Sequence, residues 1–491
     1  MRRHAVFAAF LSLALLAPVA LAELASDVNR ALRDTPKGAS VAVRLVHLDA
    51  SAEPAELFAK DAATPMIPAS NLKLLTTAAA LDLLGPDFRF QTKLYAKIAD
   101  DGSAEVAVVG GGDPSFGDSE LLESAAGWGP TTVFDSWASV LLRAGVADVS
   151  ALYLDDSVFD DAHDHPNWPS DQKHLWYEAQ VGGLNLNLNC VDVFLRRDGG
   201  SRLSHRLDPP TGYVGVEGSV RRGKNNGVIV TRRLGTNEVI LGGETPASQQ
   251  GPMKVTVDDP TAYFGQALAE RLELSGLNVG QVEERDGAVE FPSEWTLLAV
   301  HETAMPTVLA RTNKDSINLY AESLLKRIGH EATGEPGSWA SGDAAVKDYL
   351  ARIGVASAQA VHLDDGSGMS RENRVTAEAL TAVLAQQFQA ETFEDFKAGL
   401  SVAGVDGTLK SRFGSRDRLD LRGRVFGKTG YINNVSTMSG YLHGRDGGWY
   451  AFSVLVNDAR RADIGKAKLL QESIVLALDE SLTPATADVG R

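Results

Sequence analysis

One segment of the chain carries the main signal: Pro65-Met66-Ile67-Pro68-Ala69-Ser70-Asn71-Leu72-Lys73, continued by a Leu-, Thr- and Ala-rich run to Leu81. Two prolines restrict its entry and good helix formers follow, so the pattern predicts a helix that begins near Ser70. Residues at i and i+3 share a helix face, which places Ser70 beside Lys73. A lysine in an apolar segment can take a proton from a neighbouring serine, because burial disfavours its charged form. The pair therefore predicts a nucleophilic serine with its base.

This pair needs partners, because a Ser-x-x-Lys match alone is weak: average composition gives roughly two in a chain this long. A second match, Ser323-Leu324-Leu325-Lys326, lies among Leu and Ile and is interpreted as part of an ordinary amphipathic helix. Two further motifs follow Ser70 in order along the chain. Ser316-Ile317-Asn318 supplies a second hydroxyl and an amide, and Lys428-Thr429-Gly430 lies on a predicted strand.

The first 22 residues have the features of a secretory signal peptide. Arg2 and Arg3 precede an apolar run from Ala5 to Leu21, and small residues lead to a cleavage site after Ala22. An uncleaved membrane anchor is the alternative, but Pro18 interrupts the run. We therefore predict an exported, periplasmic protein that associates with membranes at most peripherally.

Charge and cysteine content narrow the class of protein. The chain has 47 Lys and Arg and 64 Asp and Glu, so its formal net charge is −17, and −19 (45 minus 64) without the two arginines of the signal. Such an acidic chain is a poor nucleic-acid binder, because it offers no broad basic surface. The single Cys190 excludes an intramolecular disulfide and is predicted to be a buried packing residue. Metal ligands cluster in Asp160–Pro166, which lacks ligand spacing and is predicted to be a solvated loop, so no metal or cofactor is expected.

The secondary-structure pattern predicts an α+β fold. A helix with Leu24, Val28 and Leu32 at four-residue spacing precedes two strands and the Ser70 helix, and three strands and a helix close the chain. These elements suit one domain, a five-stranded antiparallel sheet flanked by helices, formed by residues 23–87 and 290–491. Residues 88–289 form a mainly β insertion, predicted as two subdomains, 88–203 with 252–289 and 204–251. The five predicted strands of the sheet are Ser40–His47, Ala55–Ala59, Arg424–Thr429, Ser436–His443 and Trp449–Val456.

The ordered motifs resemble those of the serine penicillin-recognising enzymes. The gap of 246 residues (316 minus 70) between the first two motifs is similar to that of the class C low-molecular-mass penicillin-binding proteins, the D-alanyl-D-alanine carboxypeptidase/endopeptidase family. The resemblance implies a penicillin-binding/β-lactamase-like transpeptidase domain with a large, mainly β inserted region. Four further segments match this family: Gly111–Pro114, Leu184–Asn187, Asp365–Arg371 and Gly404–Leu409.

The resemblance implies a role for each motif residue. Ser70 attacks the carbonyl of the penultimate D-alanine of a peptidoglycan stem peptide, and Lys73 is its base. Ser316 and Lys428 relay a proton to the leaving amine, while Asn318 orients Lys73 and the substrate amide. The backbone N–H groups of residues 70 and 431 form the oxyanion hole. In the Lys-Thr-Gly motif, which ends at Gly430, Lys428 and Thr429 attract the terminal carboxylate. β-Lactam antibiotics would acylate the same serine.

The chain departs from the family at Tyr431, where a Ser or Thr usually follows Lys-Thr-Gly. The substitution either weakens recognition of the substrate carboxylate, which favours endopeptidase action, or leaves a ring that points away. Asp155 and Arg371 match family residues that contact the side chain of the diamino acid. A surface turn for Asp155 and a loop salt bridge for Arg371 are equally open interpretations.

Two other functions remain open at this stage. The first is a β-lactamase or esterase on the same scaffold, although no dedicated deacylating base is marked. The second is an inactive peptidoglycan-binding protein, for which Tyr431 is the one hint. A Ser-His-Asp hydrolase is not favoured, because the chain lacks a Gly-x-Ser-x-Gly motif.

Overall fold

The computed structural model describes residues 18–122, 128–285, 287 and 293–482. The α-helices are α1 (Pro18–Ala31), α2 (Lys73–Leu84), α3 (Ser119–Leu122), α4 (Thr132–Arg143), α5 (Pro260–Leu274), α6 (Met305–Asn313), α7 (Asn318–Thr333), α8 (Trp339–Arg352), α9 (Ala377–Gln389), α10 (Phe393–Ala398) and α11 (Ile464–Ser481).

The strands lie in four sheets. They are β1 (Ser40–Asp49), β2 (Ala52–Lys60), β3 (Arg89–Ile98), β4 (Ser103–Val109), β5 (Asp148–Asp155), β6 (Cys190–Arg196), β7 (Ser204–Asp208), β8 (Gly215–Gly218), β9 (Arg221–Arg222), β10 (Gly227–Arg232), β11 (Glu238–Thr245), β12 (Gln249–Thr256), β13 (Asn278–Glu284), β14 (Thr296–Ala304), β15 (Ser401–Val402), β16 (Val425–Ile432), β17 (Val435–His443) and β18 (Trp449–Asn457).

The chain forms two compact units. The first contains the described parts of Met1–Asp82, Leu309–Ser316 and Val346–Arg491, and the second those of Leu83–Val308 and Ile317–Ala345. The α+β fold prediction is confirmed. The predicted domain limits stay a prediction: the second unit also contains 317–345 and the strand β14, which pairs with β3 although both segments lie in the range 290–491 predicted for the first domain.

The first unit is built on an antiparallel sheet in the order β15-β16-β17-β18-β1-β2. Five of these strands are those predicted; the sixth, β15, has only two residues, too few for an alternating pattern to reveal it. Alternate side chains of the strands face opposite sides of the sheet. On one side, Val454 and Val456 of β18 pack in a core with α1 and α11. On the other side, the Tyr441 hydroxyl of β17 donates to the Leu384 carbonyl of α9 at 2.7 Å.

The second unit contains the other three sheets. Its largest has the order β13-β5-β4-β3-β14, with parallel pairing at β13–β5–β4 and antiparallel pairing beyond. A three-stranded sheet, β12-β6-β7, and a sheet of β8 to β11 complete it. Cys190 is fully buried at the start of β6, as predicted for a packing residue, and burial raises the pKa of its thiol.

The predicted signal peptide lies mostly outside the described residues. The expected cleavage site after Ala22 falls within α1. The core positions of this helix, Leu24 and Val28, lie beyond the site, whereas Leu21 before it is 42% exposed. In the described part of the chain, no helix is long and apolar enough to cross a membrane.

Candidate active site

Ser70 lies in a short 3-10 turn, Ala69–Leu72, that leads directly into α2. Ala69 has φ 46°, a left-handed conformation that non-glycine residues seldom adopt and that costs roughly 1–3 kcal/mol. The Asn71 side-chain amide donates to Ser439 Oγ of β17 at 2.7 Å. This contact with the sheet helps to hold the strained turn and fixes the direction of the serine.

Lys73 is fully buried at the first position of α2. Its Nζ donates to Ser70 Oγ at 3.1 Å and to the Ser367 carbonyl at 2.9 Å. A base must lie within hydrogen-bond reach of the proton that it removes, and Lys73 meets this condition. The Ser367 carbonyl orients the amine towards the serine.

A loop that the sequence marked only as a family match positions this carbonyl. The Asp365 carboxylate accepts from the Gly368 amide at 2.8 Å, the Ser370 amide at 2.6 Å and the Asn373 side-chain amide at 2.8 Å. The carboxylate thus organises the loop that carries Ser367. Sequence reasoning assigned no role to these residues, although a buried-loop pattern of Asp, Gly and Ser was visible.

Two glycines allow the backbone to come close to the nucleophile. Gly368 has φ 84°, and a Cβ built there would lie 1.9 Å from the Ala69 carbonyl oxygen. A Cβ on Gly430 would lie 2.7 Å from the Pro68 carbonyl oxygen and 2.9 Å from the Ser70 nitrogen. All three distances are shorter than real Cβ contacts, so a side chain at either position would displace the turn.

Ser316 and Lys428 form the second polar pair of the first unit. Lys428 Nζ donates to Ser316 Oγ at 2.8 Å and to the Thr429 carbonyl at 2.8 Å. Ser316 has φ 63° in the connection between α6 and α7, so this serine is itself in a left-handed conformation, as is Ala69 next to Ser70. The sequence predicted the partners but not this backbone geometry.

Burial lowers the pKa of the Lys428 ammonium well below its ordinary value of 10.5. The charge of Lys73 lowers it further, and the Asp315 carboxylate opposes the change. An amine with a lowered pKa can exchange its proton closer to neutral pH than a free lysine. Lys428 can therefore pass a proton to Ser316 as well as attract an anion.

The segment that carries Ser316 is fastened on both sides. The Asn313 side-chain amide donates to Thr77 Oγ1 of α2 at 3.1 Å, and Lys314 Nζ donates to the Asp406 carboxylate at 2.5 Å. The Thr408 amide donates to the Lys314 carbonyl at 3.1 Å. The Gly404–Leu409 match found in the sequence thus has a structural role that the sequence did not reveal.

The sequence comparisons decide the family to which this arrangement belongs. Residues 24–478 match the D-Ala-D-Ala carboxypeptidase 3 (S13) family. The chain belongs to the S13 family. This confirms the predicted resemblance and, at the level of the family, a serine-type D-Ala-D-Ala carboxypeptidase.

Individual relatives and a solved structure agree with this assignment. The chain is 32% identical over 487 residues to the D-alanyl-D-alanine carboxypeptidase of Actinomadura sp. strain R39, covering 94% of this chain and 85% of the relative. It is 26% identical to D-alanyl-D-alanine carboxypeptidase DacB of Haemophilus influenzae, with 82% of each protein covered. The fold is similar to the crystal structure of H. influenzae penicillin binding protein 4 (TM-score 0.75, 23% identity, 92% of this chain and 99% of that chain).

In this S13 protein, strand β16 presents different residues on its two faces. Gly430 pairs with Thr437, whose hydroxyl donates to the Pro68 carbonyl at 2.7 Å, so this face of the strand meets the nucleophile turn. Tyr431 pairs with Ser436, whose hydroxyl accepts from the Gln471 amide of α11 at 3.2 Å. Side chains alternate along a strand, so Tyr431 shares the α11 face with Thr429.

Tyr431 does not enter the buried part of the S13 site. Its side chain is 51% exposed, and the Lys468 ammonium lies 5.8 Å from the ring centroid. The ring lies on the face of Thr429, the residue predicted to hold the substrate carboxylate. The tyrosine thus replaces a small hydroxyl side chain with an exposed aromatic one beside that residue.

Asn318 and Asp155 belong to the second unit. Asn318 begins α7, and its side-chain amide donates to the Tyr177 carbonyl at 2.7 Å. Asp155 ends β5 and is 3% exposed, so it is not a surface turn; its carboxylate accepts from Ser157 Oγ at 2.6 Å. Asp155 lines a cavity of about 320 Å³ in this unit. Other residues of the cavity wall are Arg89, Lys93, Ser157, Arg327 and His330.

Arg371 lies in the first unit and is exposed. Its guanidinium donates to the Asn433 carbonyl, in the turn between β16 and β17, at 2.9 Å. In the structure, Arg371 thus forms a hydrogen bond with a backbone carbonyl and not the loop salt bridge that was the alternative interpretation. This hydrogen bond holds the arginine at the end of the strand that carries Lys-Thr-Gly.

Two segments that sequence analysis set aside are packed together in the second unit. Lys326 is fully buried and donates to the Asp160 carboxylate and to the Ala162 carbonyl, both at 2.6 Å. His165 is 5% exposed and lies 4.8 Å from the Trp339 ring. The second Ser-x-x-Lys match is therefore part of a packed helix, as interpreted. Within Asp160–Pro166 only His165 is buried and residues 161, 162 and 166 are exposed, so the segment is a largely solvated loop, as predicted, that a buried lysine and an aromatic ring hold in place.

Proposed function

We propose that this S13 enzyme removes the terminal D-alanine from peptidoglycan stem peptides through an acyl-enzyme on Ser70. The geometry of one unit carries the proposal: Lys73 Nζ lies 3.1 Å from Ser70 Oγ, and Lys428 Nζ lies 2.8 Å from Ser316 Oγ. A nucleophile with its base and a hydroxyl with its proton donor are the two devices that acyl transfer to serine requires.

Acylation uses the two pairs in turn. The neutral amine of Lys73 takes the proton of Ser70 Oγ as the oxygen attacks the carbonyl carbon of the penultimate D-alanine. The N–H groups of Ser70 and Tyr431 stabilise the oxyanion, a contribution of roughly 10²–10³ in rate per donor. Lys428 supplies a proton through the Ser316 hydroxyl to the leaving amine, and D-alanine departs. Water then hydrolyses the ester and regenerates Ser70.

The edge of β16 supports binding of an extended peptide. The short strand β15 pairs with Phe426 and Gly427, so among the described strands the edge beyond Lys428 has no partner on that side. An extended peptide can add to such an edge by backbone hydrogen bonds. Its terminal carboxylate would then meet the Lys428 ammonium and the Thr429 hydroxyl. Asn318 is proposed to orient the substrate amide, and Asp155 and Arg371 are proposed to contact the side chain of the diamino acid.

Covalent labelling tests the proposal. A fluorescent penicillin should label the wild-type protein and leave Ser70→Ala unlabelled, and Ser323→Ala, which alters the second Ser-x-x-Lys match, should still be labelled. Mass analysis of a digest should place the adduct on the peptide that contains Ser70. Equal labelling of wild type and Ser70→Ala would contradict the assignment.

D,D-endopeptidase action is the second candidate, and Tyr431 favours it. An exposed ring in place of a hydroxyl beside Thr429 weakens the hold on a free carboxylate and suits a substrate that continues as a cross-link. Defined muropeptide monomers and dimers distinguish the two activities: release of D-alanine from pentapeptides supports the first, and conversion of dimers to monomers the second. Fast turnover of a chromogenic cephalosporin would instead support a β-lactamase.

Export belongs to the same proposal. The charged start, the apolar run and the small residues before Glu23 favour cleavage after Ala22 and a periplasmic enzyme.

A β-lactam complex has been solved for H. influenzae penicillin binding protein 4, which has a similar fold (TM-score 0.71, 23% identity). We extend β-lactam binding to this chain through Ser70.

A further inference from the structure

Basic residues are concentrated in one part of this acidic protein. Residues 196–233 contain nine Arg and Lys but three Asp and Glu, a net charge of +6 in a chain whose net charge is −17. The remainder of the chain therefore carries −23 (−17 minus 6). Net charge hides this segregation, which is why the sequence analysis expected no broad basic surface.

The fold brings four of these cations together. Arg202 forms a β-bridge with Arg221, so the two arginines stand directly opposite each other, and the Arg222 amide donates to the Ser201 carbonyl at 2.8 Å. Lys224 follows two residues later. These residues, which we call the arginine cluster, are all exposed: Arg202, Arg221, Arg222 and Lys224.

The arginine cluster is not neutralised by its surroundings. Among the described residues, none of its four side chains forms an ion pair, whereas Arg206 and Arg233 in the same region do, with Asp208 at 3.0 Å and Glu217 at 2.8 Å. The one acid that pairs in register with the cluster is Glu244, opposite Arg221. The Glu244 carboxylate instead accepts from the Asn225 side-chain amide at 2.7 Å.

Like charges placed opposite each other in a sheet reduce stability. Folding therefore does not explain the Arg202–Arg221 pair, whereas an anionic partner does. At physiological salt, charges separated by more than about 8 Å are largely screened, so a partner at the cluster responds to its local positive charge more than to the net negative charge of the chain. The cluster can therefore attract an anionic surface despite the net negative charge of the chain.

An apolar side chain accompanies the cations. Ile229 is 55% exposed on β10, whereas its neighbours Val228 and Val230 pack against the core of the unit. Gly227 is in register with Glu244, and Glu244 is in register with Arg221. Since Ile229 lies two residues after Gly227 on the same strand, Ile229 and Arg221 lie on the same face of the sheet. Cations beside an exposed aliphatic side chain match the headgroup and acyl boundary of an acidic bilayer better than a purely polar polyanion.

We propose that the arginine cluster and Ile229 dock this enzyme on an anionic phospholipid surface. The contact is peripheral: phosphate oxygens accept hydrogen bonds from the guanidinium groups, and Ile229 enters the boundary below the headgroups. It would concentrate the enzyme at a membrane face without a spanning segment. The proposal concerns a surface distinct from Ser70 and stands whatever bond that serine cleaves.

Vesicle flotation with the full mature chain tests this proposal. The protein should bind vesicles of mixed phosphatidylglycerol and phosphatidylcholine, and not vesicles of phosphatidylcholine alone. The triple variant Arg202→Glu, Arg221→Glu, Arg222→Glu should lose at least about 100-fold in partition coefficient, since each cation near an acidic bilayer contributes roughly fivefold. The matched control reverses three exposed cations of the first unit and should bind like wild type: Lys37→Glu, Arg460→Glu and Arg461→Glu.

A second variant separates lipid from other sources of phosphate. Ile229→Ser should weaken vesicle binding several-fold and leave binding to long-chain polyphosphate unchanged. Equal flotation of wild type and the cluster variant would overturn the proposal, as would cluster-dependent binding to polyphosphate without binding to vesicles. Penicillin labelling of every variant establishes that the first unit is folded, and an unchanged urea-unfolding curve establishes the same for the second unit, so loss of flotation cannot arise from unfolding.

Discussion

At the scale of single residues, the active site buries two lysine amines at the expense of stability. Lys73 and Lys428 are both fully buried, and the charge of Lys73 lowers the pKa of Lys428. Burying a charge is unfavourable unless a partner repays the loss of hydration, and the hydrogen-bond partners of Lys428 are a hydroxyl and a carbonyl. The function of Lys428 and the stability of the fold therefore oppose each other.

Substituting Lys428 by Met should separate these two effects. The variant should lose penicillin acylation by roughly 10²–10⁴-fold, because proton delivery and anion attraction are lost. At pH 7 it should unfold at higher urea concentration than wild type, by about 1–4 kcal/mol, because an apolar side chain of similar volume replaces a buried charge.

The pH dependence of Lys428 has a definite sign. The folded-state pKa of Lys428 is lowered, so at low pH the charged amine destabilises the folded state by its full cost of burial. As pH rises through the folded-state pKa, the folded chain releases this proton, whereas the unfolded chain keeps it up to about pH 10.5. Wild-type stability therefore rises in this window and the advantage of Lys428→Met shrinks. A variant that is less stable at pH 7, or an advantage independent of pH, would contradict this account.

Glu178 is a second buried charge, in the second unit. It is fully buried, and neither carboxylate oxygen has a hydrogen-bond partner among the described residues. Burial, followed by the charges of Asp171 and Asp164, raises the pKa of Glu178 to about 7, while Lys173 opposes the change. Above pH 4.5, the Glu178 carboxyl ionises in the unfolded chain while it stays protonated in the folded chain. The free energy of unfolding therefore falls as pH rises towards about 7.

Glu178→Gln should therefore be more stable than wild type by roughly 1–3 kcal/mol at pH 8 and equal to it near pH 4. Urea unfolding at the two pH values measures the difference. Its backbone neighbour Tyr177 still accepts from Asn318, so penicillin labelling should be retained. A constant difference at both pH values would show that another group controls the titration.

At the scale of elements, the nucleophile turn is shaped by backbone contacts from distant parts of the chain. The substitution Gly368→Ala should disturb the nucleophile turn for two reasons. Its φ of 84° strains any residue that has a side chain, and the new Cβ would lie 1.9 Å from the Ala69 carbonyl oxygen. We expect a loss of roughly 1–3 kcal/mol in stability and a slower acylation of Ser70.

Gly447 provides the matched control for this element. It has the same φ of 84°, but a Cβ there meets nothing within 4 Å. Gly447→Ala should show the conformational cost alone and keep the wild-type acylation rate, measured by stopped-flow penicillin labelling. Equal rates for Gly368→Ala and Gly447→Ala would contradict the role of close packing at the nucleophile.

Elements with strong local signals were predictable from the sequence. The Ser70 helix and the five long strands of the first sheet follow from periodicity, and the motif order indicated the partners of Ser70. Three features were not accessible. The two-residue β15 has no pattern, the left-handed Ala69 and Ser316 depend on tertiary contacts, and the role of Asp365 arises from a loop that meets Lys73 only in the fold.

At the scale of the whole molecule, the part of α1 beyond the predicted cleavage site belongs to the core of the first unit. Leu24 and Val28 are 2% and 0% exposed and pack in the cluster that includes α11. A mature protein that begins at Glu23 keeps both. Mass analysis of the exported protein should find this terminus.

Removing six further residues should show how much this helix contributes. A chain that begins at Asn29 lacks both buried side chains and should lose roughly 3–5 kcal/mol of stability compared with one that begins at Glu23. Urea unfolding of the two chains measures the loss. Identical midpoints would mean that α1 does not support the first unit.

The close approach of Gly368 to Ala69 also limits how this enzyme could acquire antibiotic resistance. β-Lactams and stem peptides need the same position of Ser70 Oγ, so a substitution that shifts the turn slows both reactions together. Resistance that preserves cell-wall processing must therefore arise where the drug and the peptide differ, at exposed positions outside this turn. Tyr431, half exposed beside Thr429, lies outside the close-packed turn, so variation there would change the preference among substrates and inhibitors without displacing Ser70 Oγ.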